Sequence, residues 1–371
     1  MEYILLLLVM SVAFFNGAND VSKGVATLHG SGLTGYRGAL LWGTVWTAAG
    51  GLAAFFIASG LLKVFTSGIV SEQANPTAAF SVAIAAGVTI WLVLATRAGM
   101  PVSTTHAIVG AVCGAALVAL GPSGILWGSL GSKIILPLIV SPLAALAVIT
   151  VIYKGGTALL GALSGYCLCL EFKEKVCCTP ASNGRLAATV TWVEPGVEVG
   201  ATEKCVENGV SPLRLNFNDM VHWASSAMIS FARGLNDTPK IVAVLAAAAV
   251  FFKGDMKVFF LPATAAMALG GYFRGLRVTE TLSEKITDMD RNDSVIANLT
   301  TAGLVVFASR LGMPVSTTHV SSSSIVGIGL KRENGAFNRK VVFEMLISWA
   351  VTLPVAGAVS AAVYLMLSAF A

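Results

Sequence analysis

Arg97-Ala98-Gly99-Met100-Pro101-Val102-Ser103-Thr104-Thr105-His106 returns later in the chain as Arg310-Leu311-Gly312-Met313-Pro314-Val315-Ser316-Thr317-Thr318-His319, and the two copies differ only at Ala98 against Leu311. They lie 213 residues apart, Ser103 to Ser316. A second pair stands upstream in the same order. Gly17-Ala18-Asn19-Asp20-Val21-Ser22-Lys23 matches Gly234-Leu235-Asn236-Asp237-Thr238-Pro239-Lys240 at Gly, Asn, Asp and Lys, with a separation of 217 residues from Asp20 to Asp237. Ile108-Val109-Gly110 and Ile325-Val326-Gly327 resume the 217-residue spacing, and the serine run 321–324 absorbs the difference. Motifs repeated in one order at nearly one spacing mark a duplicated chain.

The rest of the sequence says where such a duplication resides. Of 371 residues, 56% are hydrophobic and 12% charged, with a mean hydropathy of +0.79. Soluble domains carry about 25% charged residues, so the composition calls for a bilayer. A net charge of +5 set by loops gives no reason to expect nucleic acid. Charge-free stretches 39–62, 78–96 and 134–153 each meet the roughly 20 residues a spanning helix needs. Residues 98–132 are too long for one span and are broken by Pro and Gly, which fits a re-entrant hairpin with connections; 155–170 is a short apolar segment that leaves the span count open. Residues 220–252, 258–273, 294–309, 311–330 and 345–371 supply the second half. The expectation is an all-α polytopic membrane protein of two homologous, inverted repeats with broken helices and re-entrant hairpins: repeat 1–170, an extramembrane, cytoplasmic loop 171–219, and repeat 220–371. In the loop, Ala188 to Val199 reads as strand–turn–strand, with Glu194-Pro195-Gly196 as the turn. Lys331, Arg332, Arg339 and Lys340 against Glu333 put the 331–340 loop in the cytoplasm and the C-terminus outside. The N-terminal Met1-Glu2 lacks the basic start of a cleaved signal, so the first apolar run is kept as a span. Cys113 sits in an apolar run. Cys167, Cys169, Cys177, Cys178 and Cys205 cluster around the loop without a zinc-site spacing, and free thiols or a disulfide without function is the reading.

The repeated motifs carry the chemistry. Asp20 and Asp237 lie in apolar stretches, where an ionisable group costs about 2.5–3.5 kcal/mol and marks a functional site by default. The structural alternative is an ion pair one turn on, Asp20 with Lys23 and Asp237 with Lys240. The flanking glycines, and Pro239 just after Asp237, suggest that each Asp starts a half-helix. Carboxylate, Asn19 or Asn236 and freed carbonyls would then form an oxygen-rich site for a hard cation such as Na⁺. Pro-Val-Ser-Thr-Thr-His reads as a helix start capped by Ser103 or Ser316, with two threonines in the first turn. Such an end offers N–H groups, positive dipole and hydroxyls to an anion. Two of them facing each other would suit a tetrahedral oxyanion. His106 and His319 are read as hydrogen-bond partners, Arg97 and Arg310 as headgroup-reaching side chains, and Arg233, matched by Asn16, has no assigned role. A divalent anion entering against 100 mV costs about 4.6 kcal/mol, which two co-moving Na⁺ remove.

These motifs resemble the inorganic phosphate transporter (PiT) family over both halves, leaving out 171–219. The resemblance implies a phosphate symporter, coupled to Na⁺ or H⁺, built from two inverted repeats, in the plasma or inner membrane. It needs no cofactor and is not an enzyme. It places phosphate at Ser103, Thr104, Thr105, Ser316, Thr317 and Thr318, and the cation at Asn19, Asp20, Asn236 and Asp237, with Na⁺ at the two carboxylates. One departure stands out: family signatures often read GANDVANA, whereas Ser22-Lys23-Gly24 follows Val21 here. The partners are phosphate, Na⁺ and lipid, without nucleic acid, and 38 glycines permit the close packing of a homodimer. Competing readings are a sulfate or arsenate carrier, a hydrolase using Ser or Thr with His, and a channel.

Overall fold

The repeated decapeptide is a helix stop, a turn and a helix start. In the computed structural model, which describes residues 2–71, 77–180, 186–201, 213–246, 256–284, 286–287, 289–332 and 337–369, helix α5 (Ala78–Arg97) ends where Gly99 takes φ 69°. The Met100 N–H returns to the Ala95 carbonyl (2.9 Å), closing the helix end with the six-to-one bond that a left-handed residue permits. Pro101 prevents continuation, and the Ser103 hydroxyl accepts the His106 N–H at 3.2 Å to cap α6 (Thr104–Ala119). The second copy does the same. Helix α11 (Arg291–Arg310) stops at Gly312, φ 67°, with Met313 N–H on Ala308 O (2.9 Å), and Ser316 caps α12 (Thr317–Lys331) through His319 N–H at 3.2 Å.

Around the hairpins the halves run in the same element order. The first has α1 (Glu2–Asp20), α2 (Ser22–Gly30), α3 (Tyr36–Ile57), α4 (Ser59–Ser67), the hairpin and α7 (Trp127–Leu163); a π segment, Leu130–Ile135, lies near the start of α7. The second has α8 (Phe217–Ala246), α9 (Phe260–Arg274), α10 (Leu276–Glu284), the hairpin and α13 (Arg339–Ala369). The halves interlock: α1 packs on α9 and α8 on α3, while α6 packs on α13 and α12 on α7. Glycines permit this. A Cβ at Gly17 would run into the Met267 carbonyl oxygen, and one at Gly234 into that of Thr47; Gly50 meets Phe231 and Gly270 meets Phe14 in the same way. Small residues at such crossings are how membrane helices approach closely.

Among the described residues five helices are long and apolar enough to cross a membrane: Tyr3–Gly30, Tyr36–Ile57, Ala78–Arg97, Trp127–Leu163 and Arg339–Ala369. Their outer faces are apolar, with Leu41, Val45, Leu52 and Phe56 exposed on α3 and Leu136, Ile139 and Leu143 on α7. Helices α8 and α11 are not among the five, and both bury polar residues, Arg233, Asn236, Asp237 and Lys240 on α8 and Asn298, Thr300 and Thr301 on α11.

Three expectations are corrected. The first concerns the half-helix starts. Neither Asp starts a helix: α1 runs through Asp20 and passes into α2 at Val21, which keeps helical angles (φ −57°, ψ −32°) and bonds its N–H to Gly17 O (3.0 Å). Helix α8 runs unbroken through Asp237, with Pro239 inside it. Proline removes one ladder hydrogen bond, and the packing of α8 against α3 carries the helix across that gap. The second concerns 155–170. Its first part is the end of α7, and β1 (Tyr166–Pro180) begins two residues beyond Ser164. The third concerns Glu194-Pro195-Gly196, which is no turn. It lies within one strand, β2 (Leu186–Ala201), paired antiparallel to β1 with Phe172 opposite Pro195. Strand order β2-β1-β3, with β3 being Leu213–Asn216, makes β2 an edge, where proline is tolerated. The connection falls in 181–185, outside the described residues, as do the side chains of Cys169, Cys177, Cys178 and Cys205. Cys113 is half-buried on the core.

Candidate functional site

The two hairpin tips meet each other in the middle of the helical body. The Thr318 hydroxyl donates to Val102 O (2.7 Å) and the Thr105 hydroxyl to Val315 O (3.4 Å), an exchange between equivalent positions of the two repeats. The His106 and His319 rings stand 4.5 Å apart, and His319 stacks on Trp349 at 4.0 Å. Ser103, Thr104, Thr105, Ser316, Thr317 and Thr318 are all buried. Of the six hydroxyls, Thr105 and Thr318 join the two tips, and Ser103 and Ser316 cap their own helices.

The Asn-Asp motifs sit against these tips, and each Asn side chain is held by protein hydrogen bonds. Asn19 clamps the first turn: its Nδ2 donates to Met100 O (2.8 Å) and its Oδ1 accepts the Val102 N–H (3.2 Å). Asn236 Nδ2 donates to Val315 O (3.2 Å) and to Asp237 Oδ1 (3.0 Å), and its Oδ1 accepts from Ser309 (3.2 Å). Asn19→Ala therefore leaves a buried N–H and a buried C=O without their amide partner, at about 1–3 kcal/mol each. The expected result is a lower thermal unfolding midpoint in detergent; an unchanged midpoint would mean the clamp is not a support of the hairpin.

Asp20 and Asp237 are both buried, and both are paired. Lys23 Nζ lies 2.5 Å from Asp20 Oδ1, and Lys240 Nζ 3.4 Å from Asp237 Oδ1. The ion pairs of the structural alternative are thus present. The same ammonium groups reach across to the opposite repeat: Lys23 Nζ donates to Thr317 Oγ1 (3.2 Å), and Lys240 Nζ to Thr105 Oγ1 (2.9 Å), with a further bond to Val315 O (2.7 Å) in its own repeat. Asn16 ties the motifs together, with Nδ2 at 3.2 Å from Asp20 Oδ2, 3.4 Å from Asp237 Oδ2 and 2.9 Å from Thr104 Oγ1. Its counterpart Arg233 is fully buried, donates to Thr47 Oγ1 (3.0 Å), and has no partner for Nε or Nη1 among the described residues. Three buried cations, Lys23, Arg233 and Lys240, thus accompany two buried carboxylates.

One side of the site is polar. Thr27, one turn beyond Lys23, hydrogen-bonds Asn298 (2.9 Å), which also donates to Ser225 (3.2 Å). A polar cavity of about 70 Å³ lies beyond, lined by Thr27, Gly30, Ser283, Met289 and Ser294. The repeat-equivalent residues, Val244 and Ala85, are apolar. The serine run 321–324 is buried, and Ser324 accepts from Thr301 at 3.1 Å. Arg97 and Arg310 are exposed and away from this cluster. Arg310 rims an apolar surface groove of about 1020 Å³, with Trp42, Trp46, Trp223 and Phe307 among its walls.

Sequence reasoning left Asn16 and Ser309 out of the site and did not foresee where the lysines reach. The i, i+3 spacing of Asp and Lys was the signal for the ion pairs; nothing local signals a contact between residues 23 and 317.

The model described as the phosphate transporter family matches residues 16–360. A protein of Pyrococcus abyssi named as a phosphate permease is 29% identical, over 98% of this chain and 96% of the relative. One of Mycobacterium tuberculosis named as a low-affinity inorganic phosphate transporter is 24% identical, over 98% of this chain and 78% of the relative. A solved structure named "The sodium-dependent phosphate transporter" matches with a TM-score of 0.79 at 24% identity, over 100% of this chain and 99% of that one, and so shares the fold.

Proposed function

The chain belongs to the phosphate transporter family, a family of multi-pass membrane transporters rather than enzymes, and we propose that it carries inorganic phosphate as a secondary active transporter coupled to Na⁺. The observation that carries the reading is the meeting of two Ser-Thr-Thr helix starts against two buried carboxylates. Helix N-termini and hydroxyls provide neutral donors for the oxyanion. In this reading Ser103, Thr104, Thr105, Ser316, Thr317 and Thr318 take phosphate, and Asn19, Asp20, Asn236 and Asp237 take the cation. Residues 1–170 and 220–371 act as inverted repeats, with binding where they meet. Phosphate fits the names of the relatives, and sodium fits the name of the structural neighbour. The polar line from Lys23 through Thr27 to the small cavity supports a route to one membrane face.

The test is uptake of radiolabelled phosphate by proteoliposomes in the presence of excess sulfate or excess arsenate. Phosphate uptake that saturates and resists sulfate is expected, because a carboxylate near the site can accept a hydrogen bond from the P–OH of HPO₄²⁻, a donor that sulfate lacks. Thr104→Ala with Thr317→Ala removes two hydroxyls and should raise KM roughly 10-fold or more, at about 1 kcal/mol per lost hydrogen bond. Equal inhibition by sulfate would reassign the substrate, and an unchanged KM would move the anion away from the tips.

A further inference from the structure

We propose that Lys23 and Lys240 are exchangeable counter-ions: each closes its own repeat's carboxylate in the empty site and turns to the phosphate in the loaded one, which opens Asp20 and Asp237 to the co-transported cation. The proposal rests on the reading that the hairpin threonines receive phosphate.

Three observations support it. Each ammonium already spans both stations. Lys23 Nζ is 2.5 Å from Asp20 Oδ1 and 3.2 Å from Thr317 Oγ1; Lys240 Nζ is 3.4 Å from Asp237 Oδ1 and 2.9 Å from Thr105 Oγ1. An anion arriving at those hydroxyls meets the ammonium without a conformational search, and a lysine head with three donors on a flexible stem can change partner in place. Next, the contacts are crossed. The lysine of each repeat touches a threonine of the other, so anion binding pulls on both repeats at once. Last is the charge. Lys23, Lys240 and Arg233 against Asp20 and Asp237 give the empty cluster one net positive charge. Divalent phosphate alone would leave it negative, and two Na⁺ alone would leave three positive charges. Together they return it to its starting value. Uncompensated buried charge is strongly unfavourable, so each ligand raises the affinity for the other by the same factor. Arg233, with Nε and Nη1 unpaired among the described residues and no lysine-like second station, remains as the fixed positive charge that keeps the cluster receptive to an anion.

The lysines thereby become substrate ligands as well as coupling residues. A carboxylate covered by an ammonium is closed to Na⁺, so cation leak without phosphate is suppressed.

The experiment is equilibrium binding of radiolabelled phosphate and of radiolabelled Na⁺ to the purified full chain in detergent. The wild type should bind phosphate roughly 5–150-fold more tightly in Na⁺ than in choline, the usual span of such couplings, and should bind Na⁺ weakly until phosphate is added. Lys23→Gln and Lys240→Gln should bind phosphate more weakly and take up Na⁺ without it. Wild-type protein that binds Na⁺ equally with and without phosphate would overturn the proposal, and this needs no variant to fold. Lysine variants that keep the full Na⁺ step in phosphate affinity would overturn it too. Folded wild type that binds no phosphate in either salt would overturn the reading beneath it as well, and that result is distinct from the other two.

Discussion

Asp237→Asn and Asp20→Asn should each lower phosphate uptake by roughly 10- to 100-fold while leaving the protein folded. Asparagine is isosteric. At position 237 its carbonyl can still accept from Lys240, which also keeps Thr105 Oγ1 at 2.9 Å and Val315 O at 2.7 Å. The hairpin contact therefore survives. The negative charge does not, and with it goes the cation's contact with an ionised group, worth about 1.5–3 kcal/mol, where each 1.4 kcal/mol is a factor of ten. The cation then has no carboxylate to receive it. Phosphate binding in detergent should persist in both variants, because removing a negative charge makes the cluster more positive. The informative pairing is thus retained binding with lost uptake. Near-normal uptake by both variants would remove the carboxylates from the coupling site.

Gly17→Ala and Gly234→Ala should have the largest effect on stability. The added Cβ has nowhere to go. At Gly17 it meets the carbonyl of Met267 on α9, and at Gly234 the carbonyl of Thr47 on α3. The obstructing atoms are backbone inside helices and cannot rotate away. Overpacking of this kind costs about 1–3 kcal/mol and sometimes more. Each glycine also precedes its Asp by three residues, so a helix pushed outward there displaces the site. Both variants should unfold at lower temperature in detergent than the wild type. Gly155→Ala is the control: nothing lies within 4 Å of its would-be Cβ, and a helical Gly-to-Ala change is favourable by about 1 kcal/mol. Equal midpoints for Gly17→Ala and Gly155→Ala would contradict the crossing geometry.

The decapeptide was legible almost in full because every step in it is local. A left-handed glycine, a proline that forbids continuation and a serine cap act within ten residues, and both copies fold accordingly. The Asp20 and Asp237 motifs were legible as buried charge but not as backbone. Pro239 reads as a helix start, yet α8, packed against α3, continues through it. Glu194-Pro195-Gly196 misled for a related reason: whether proline ends a strand depends on whether that strand is an edge, and strand order is a property of the whole sheet. Asn16 was invisible because the duplication does not repeat it; Arg233 stands in its place. The reach of Lys23 to Thr317 is set by how two hairpins 213 residues apart come together, which no window of sequence contains.

The most direct measurement of cation-coupled phosphate transport is uptake of radiolabelled phosphate into proteoliposomes under an inward Na⁺ gradient alone, and separately under an inward proton gradient alone. The account predicts accumulation above equilibrium with Na⁺ and none with protons. Accumulation driven by protons alone would contradict Na⁺ at Asp20 and Asp237 and make the two carboxylates proton carriers, and the absence of uptake under both gradients by folded protein would contradict phosphate transport.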